Sequence, residues 1–211
     1  MKPNITLAET KTPNGARMTL VEHDGSYCIR VNGQQLMHSS VSTSEIELGK
    51  LGCERHPNRG AATRVLIGGL GLGFTLQSVL QCTGPKAVVH VAELFPEIVA
   101  WNRTHLAGLN GKLLTDKRVT VLTGDVRPII KRASRAPYDV IVATGSLPIV
   151  PSALRKQLKI GGRLAAVVGT DPVMSAEIIT RVSETGFDTV KLFETRLAPL
   201  RNAERPSSFR F

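Results

Sequence analysis

Cysteine is scarce: Cys28, Cys53 and Cys82 are the only three in 211 residues, and no two stand in a Cys-x-x-Cys spacing. An odd, scattered set excludes a disulfide framework and a zinc ribbon, and it fits a reducing, cytoplasmic setting. Each is read as a small buried hydrophobe. No run reaches the roughly 18 apolar residues of a membrane helix, so no membrane partner is expected. Residues 1–12 (MKPNITLAETKT) lack the apolar stretch of a secretory signal. The five histidines, at 23, 38, 56, 90 and 105, show no metal-ligand pairing, so no metal is expected. No Gly-x-x-x-x-Gly-Lys-Ser/Thr motif is present, which excludes phosphoryl transfer on a P-loop. Aromatics are few (six Phe, two Tyr, one Trp), and none makes a base-stacking platform beside the basic residues.

What is abundant is positive charge, a net +10. The excess is spread along the chain, and its densest patch (Arg127, Lys131, Arg132, Arg135) reads as a solvated helix face. A nucleic-acid partner is therefore indicated only by the charge itself.

Residues 17–37 read as short strands joined at Asp24-Gly25 and Asn32-Gly33, dipeptides that tolerate positive φ. Tyr27, Ile29 and Val31 alternate with Cys28 and Arg30, as on a half-buried strand. Ser42-Thr43-Ser44-Glu45 opens a helix with the spacing of a capping box, and Ile46, Leu48 and Leu51 supply its apolar side. The polar linker RHPNRGAATR follows. Beyond it the pattern repeats as strand, turn and helix. Strands are expected at Val65–Ile67, Ala87–Val91, Val119–Leu122, Tyr138–Ala143 and Arg163–Val168. Helices are expected at Phe74–Leu80, Pro96–Leu109, Pro128–Ser134, Pro151–Leu158 and Ser175–Thr185. Gly161-Gly162 reads as a turn, and a last strand pair begins at Asp188–Leu192 and ends at Ser208–Phe211. All-apolar strands alternating with helices imply an α/β fold, a doubly wound and mostly parallel Rossmann-like sheet. The division expected is a small N-terminal β-hairpin/helix lobe over residues 1–60 and a Rossmann-like domain over 61–211.

In such a sheet the ligand lies beyond the carboxyl ends of the strands. The first tip carries RVLIGGLGLGFTL, in which Gly69, Gly71 and Gly73 let the backbone approach a ligand and expose amides at a helix start. The second carries Glu93, placed to accept ribose hydroxyls, and the third carries Gly124-Asp125-Val126, where the Asp125 carboxylate is placed to take an adenine amino group and, on the S-adenosylmethionine reading below, Val126 joins it in holding the adenine. The fourth, Thr144-Gly145-Ser146, has no carboxylate, and on the transferase reading below these three residues are the acceptor-side candidates. Asp139, at the far end of that strand, reads as structural. No base partners Ser146 or Thr144, so a hydrolase triad has no support.

Gly69-Leu70-Gly71-Leu72-Gly73-Phe74 departs from the dinucleotide fingerprint, its third glycine coming one position early. With Glu93 and Gly124-Asp125 it resembles the class I S-adenosylmethionine-dependent methyltransferase superfamily. Residues about 17–135 resemble spermidine synthase-like proteins through DGSYCIRVNGQQLMHSS, Ser44-Glu45, RVLIGGLGLGFTL, VAELFPEIVAWNR and GDV. Residues about 138–211 resemble protein-L-isoaspartate O-methyltransferases through YDVIVATGSLPIVPSALRKQLKIGGRLAAVVG and LFETRLAPLRNAERPSSFRF. The resemblance implies S-adenosylmethionine, or its decarboxylated form, as cofactor. Three functions follow from it: a methyltransferase acting on a small molecule or a carboxylate, an aminopropyltransferase, and a non-catalytic nucleoside-binding module. Aminopropyltransferases need an acidic residue at the fourth tip, where this chain has Thr144-Gly145. Association into a homodimer through the N-terminal lobe stays open.

Overall fold

The computed structural model describes residues 3–53, 62–110, 112–125 and 137–204. The expected boundary near residue 60 and the expected helix over 128–134 lie outside these residues. So do most of the linker and the strand expected over 208–211.

The chain opens with a four-stranded antiparallel sheet, β1 (Ile5–Lys11), β2 (Arg17–His23), β3 (Ser26–Val31) and β4 (Gln34–His38), in sequence order. Asp24 and Gly25 have φ of 49° and 78°, and Asn32 and Gly33 have the same pair of values, the positive-φ geometry whose twist suits two-residue hairpins. Strict alternation fails on β3. Cys28 and Ile29 are both buried, next to a register shift between Ile29 and Arg30 opposite β4. β1, whose ITLAETK carries little apolar pattern, was not among the expected strands; it pairs along β2.

Helix α1 (Thr43–Cys53) begins where the Ser-Thr-Ser-Glu stretch indicates, but its buried face differs from the expected one. Glu45, Leu48, Gly49, Gly52 and Cys53 point inward, at the 3–4 residue spacing of one helix face, while Ile46 and Leu51 are half-buried. The two glycines let α1 lie close. A Cβ on Gly49 would stand 2.8 Å from Ser78 Oγ, and one on Gly52 3.1 Å from Val140 Cγ1. Thr75 Oγ1 and Ser78 Oγ donate to the carbonyls of Glu45 and Ile46 at 2.9 and 2.8 Å. So α1 is fastened to the helix beneath it and carries Glu45 with it.

The larger sheet holds seven strands: β5 (Arg64–Gly68), β6 (Val88–Glu93), β7 (Val119–Thr123), β8 (Tyr138–Ala143), β9 (Leu158–Thr170), β10 (Val173–Arg181) and β11 (Phe187–Glu194). Their spatial order is β11-β10-β9-β8-β5-β6-β7, parallel from β7 to β9 and antiparallel beyond. This is the Rossmann-like arrangement that the alternating pattern implies. Helices α2 (Phe74–Cys82), α3 (Pro96–Arg103), α4 (Ala107–Asn110) and α5 (Ser152–Arg155) complete the described elements. The helix expected over 96–109 is broken at Thr104–Leu106, and the one expected over 151–158 keeps a single turn.

The helix expected over Ser175–Thr185 is a strand, β10. Ile178, Ile179 and Thr180 are β-branched, and both edges of the segment are paired, Ile178 with Ala165 of β9 and Val190 of β11. Gly161-Gly162 lies inside β9. Tyr138 pairs with Leu158 but Val140 with Arg163, so the strand bulges there.

Asp139 is structural, as expected: it is buried, accepts the Arg64 N–H at 2.7 Å and pairs with Lys159 Nζ at 2.8 Å. His90 packs edge-on to Tyr138, within 3.0 Å of its hydroxyl. Cys28 and Cys53 are buried and Cys82 is half-buried.

From β5 the chain runs outward through β6 and β7, then returns to β8 on the other side of β5. The order reverses between β5 and β8, so a crevice opens beyond their carboxyl ends.

Candidate functional site

That crevice is bounded on one side by the glycine loop and on the other by Thr144-Gly145. Gly69 has φ of 111° and Gly71 of 53°, conformations that a side chain disfavours. Space is short as well. A Cβ on Gly69 would run into Thr144 Oγ1, and one on Gly71 into the Met37 thioether of β4. The Gly69 N–H bonds the Ala92 carbonyl at 2.8 Å, which ties the loop to the neighbouring strand.

Glu93 ends β6 beneath this loop. Its Oε2 accepts the Leu70 N–H at 2.8 Å and the Gly71 N–H at 3.4 Å, and its Oε1 accepts the Phe95 N–H at 2.9 Å. Burial pushes the carboxyl above the usual carboxylate range, while these N–H groups hold it back. Oε1 has one strong donor, so it keeps room for a second, such as a ribose hydroxyl.

The loop is also gripped by its carbonyls. Asn102 Nδ2 donates to Gly71 O at 2.8 Å, and Asn110 Nδ2 donates to Leu72 O and, at 2.8 Å, to Asn102 Oδ1. Both amides are buried. Sequence reasoning missed this pair. Its one signal was a polar residue at position 102 on a helix face otherwise made of Ile98, Val99 and Trp101.

Of the residues expected at the site, Gly69, Gly71, Glu93, Asp125, Thr144 and Gly145 line one cleft. Gly73 heads α2 and packs against the Asn110 amide instead. Ser146 is fully buried and lines an adjoining groove, its Oγ without a hydrogen-bond partner among the described residues. Val126 lies outside the described residues. Thr144 spends its hydroxyl on Gly68 O at 2.8 Å, which closes the gap between β8 and β5. Asp125 is half-buried and accepts Asn202 Nδ2 at 3.1 Å.

Two segments not foreseen complete the walls. Val31, Leu36 and Met37 of the N-terminal sheet line the cleft, with Met37 against Gly71, and Glu45 of α1 lines it too. A strap over Leu197–Arg201 crosses the acceptor side: Ser146 N–H bonds Ala198 O and Leu200 N–H bonds Ser146 O, each at 2.9 Å. Arg201 lies over the Phe95 ring at 5.9 Å. Among the described residues no cluster of His, Cys, Asp or Glu could hold a metal ion, and no helix is long and apolar enough to cross a membrane.

Solved structures place this fold in a class. The spermidine synthase from Thermotoga maritima superposes with a TM-score of 0.64 at 19% identity, over 77% of this chain and 56% of that one. A protein-L-isoaspartate O-methyltransferase superposes with a TM-score of 0.59 at 22% identity, over 85% and 51%. The fold is thus that of the Rossmann-like class I methyltransferases. Within that class, the model of the protein-L-isoaspartate(D-aspartate) O-methyltransferase (PCMT) family matches residues 58–205, and the chain belongs to this family. The match runs unbroken across residues 135–138, where the two sequence resemblances meet. The protein-L-isoaspartate O-methyltransferase of Ignicoccus hospitalis is 33% identical over 143 residues, 67% of this chain and 64% of that protein. The chain covers less than two thirds of the length of the curated relatives it resembles.

Proposed function

We propose that the chain binds S-adenosylmethionine and transfers its methyl group to a carboxylate. The observation that carries this reading is the joint position of Glu93 and the glycine loop at the switch point of the sheet, with Asp125 at the next strand tip. Glu93 would take the ribose, Asp125 the adenine amino group, and the backbone of Gly69 and Gly71 the amino-acid end. Gly73 would act by setting the start of α2.

The residues on the acceptor side support a carboxylate as the acceptor. Thr144 and Gly145 offer a hydroxyl already committed to Gly68 and a bare backbone, and neither is a base. A carboxylate is ionised at neutral pH and needs none. Its oxygen attacks the methyl carbon in line, the carbon–sulfur bond breaks, and its electron pair stays on sulfur as a thioether. The protein's part is to align and dehydrate the two reactants. Arg201 supplies a cation on the strap side for an anionic acceptor. An amine acceptor, as in aminopropyl transfer from decarboxylated S-adenosylmethionine, would have to lose a proton first.

The relatives' names make an isoaspartyl peptide the first carboxylate to test, before small carboxylic acids. The experiment supplies methyl-labelled S-adenosylmethionine with an isoaspartyl peptide and its aspartyl twin. Base-labile label on the isoaspartyl peptide alone supports the reading. Aminopropylated putrescine formed from the decarboxylated donor, with no methyl ester from either peptide, would replace it.

A further inference from the structure

Glu45 has no part in the account so far, yet it is a second buried carboxylate on the cleft wall, 6% exposed. Glu93 shows what a buried carboxylate ordinarily has around it: three backbone N–H donors from two loops. Glu45 has its own backbone N–H, and among the described residues no lysine, arginine or histidine forms an ion pair with it. Of the residues that line the same cleft, Val31, Leu36 and Met37 of the N-terminal sheet offer no donor side chain. A carboxyl stripped of water in such a wall is costly unless something charged comes to meet it. Burial accordingly pushes its pKa up.

The position says what that something is. Thr75, the second residue of α2, holds Glu45 through its main-chain carbonyl, so the carboxyl stands level with the start of α2. The glycine loop runs straight into α2, so Glu45 stands on the helix side of the loop, whereas Asp125 follows the tip of β7, on the nucleoside side. On the donor reading above, on which this inference rests, the molecule carries its one ammonium group at the amino-acid end. We infer that Glu45 is the anchor of that ammonium, binding it by a charge-assisted hydrogen bond. The role is a binding one, since the group lies away from the transferred carbon.

The test compares three ligands by calorimetry on the wild-type chain and on Glu45→Gln. S-adenosylmethionine has both the ammonium and the sulfonium, S-adenosylhomocysteine keeps only the ammonium, and methylthioadenosine has neither. Glu45→Gln is expected to weaken the first two by about tenfold to a hundredfold, the range for a hydrogen bond to a charged group. Methylthioadenosine is expected to bind both proteins equally, which also shows that the variant is folded. Loss confined to S-adenosylmethionine would make the sulfonium the partner and overturn the inference. Equal loss for all three ligands, or none, would overturn it too and leave the donor reading standing. A wild-type chain that binds none of them overturns both.

Discussion

The Glu93 carboxylate and the Leu70 amide meet at 2.8 Å, and through this bond the tip of β6 holds the turn that begins α2. Gly71 and Phe95 N–H groups complete the grip. An amide side chain cannot copy it, because all three N–H groups need an acceptor and its nitrogen can only donate. Glu93→Gln is therefore expected to lower S-adenosylmethionine affinity at least about tenfold, the loss of one hydrogen bond to a charged group. Calorimetric affinity unchanged from wild type would show that Glu93 neither shapes the loop nor meets the ligand.

The loop's other anchor is the Asn102–Asn110 pair. Asn102→Ala removes the donor to Gly71 O, leaving that carbonyl to find a new partner, and takes away one of the two acceptors of Asn110 Nδ2. Leaving buried polar groups unpaired costs on the order of 1–3 kcal/mol each. Urea unfolding should show a loss of about 2 kcal/mol or more. A change within a few tenths would mean that the pair is dispensable.

Glycine at 145 bears on the strap. A Cβ there would stand 2.8 Å from Leu200 N and 2.9 Å from Leu200 Cα, backbone that cannot swing aside as a side chain can. Gly145→Ala is expected to lift Leu197–Arg201 from β8. The readout is amide hydrogen exchange at Ser146 and Leu200, whose N–H groups bond across this contact. Both should exchange faster in the variant, with β5 and β6 unaffected. Unchanged protection at both sites would refute the packing argument.

Much of this architecture was legible because it rests on local chemistry. Asp24-Gly25 and Asn32-Gly33 announce their turns, the glycine loop sits between an apolar strand and a helix, and Glu93 follows at the next strand tip. What escaped depends on distant partners. In Val173–Arg181, Met174 and Ile178 stand four apart, a spacing that serves a helix as well as a strand. The decision is made by β9 and β11 pairing on either side. Glu45 fits a capping box by spacing, and only the docking of α1 on α2 turns it toward the cleft. The strap has no periodicity, being held by the backbone of Ser146.

Glu45 also predicts a pH dependence of stability in the ligand-free chain. Its folded-state pKa lies above the ordinary 4.5 because burial disfavours the ionised form. Below pH 4.5 the folded and unfolded chains both hold the proton, and the group costs nothing. As the pH rises past 4.5 the unfolded chain gives up its proton first, so stability falls until the folded carboxyl has ionised as well. Glu45→Gln removes this slope. Wild type should lose stability relative to the variant as the pH is raised through that window in urea unfolding series. Parallel curves would show that Glu45 is not desolvated.

The central claim, that the cleft is a donor site, is tested most directly by titrating the wild-type chain with S-adenosylmethionine in a calorimeter, beside Gly69→Ala. The added Cβ in that variant meets Thr144 Oγ1 and closes the gap between loop and strand. The account predicts saturable binding at one site per chain in the wild type and its loss in Gly69→Ala. Absence of binding to the wild type, or equal binding to both, would contradict it.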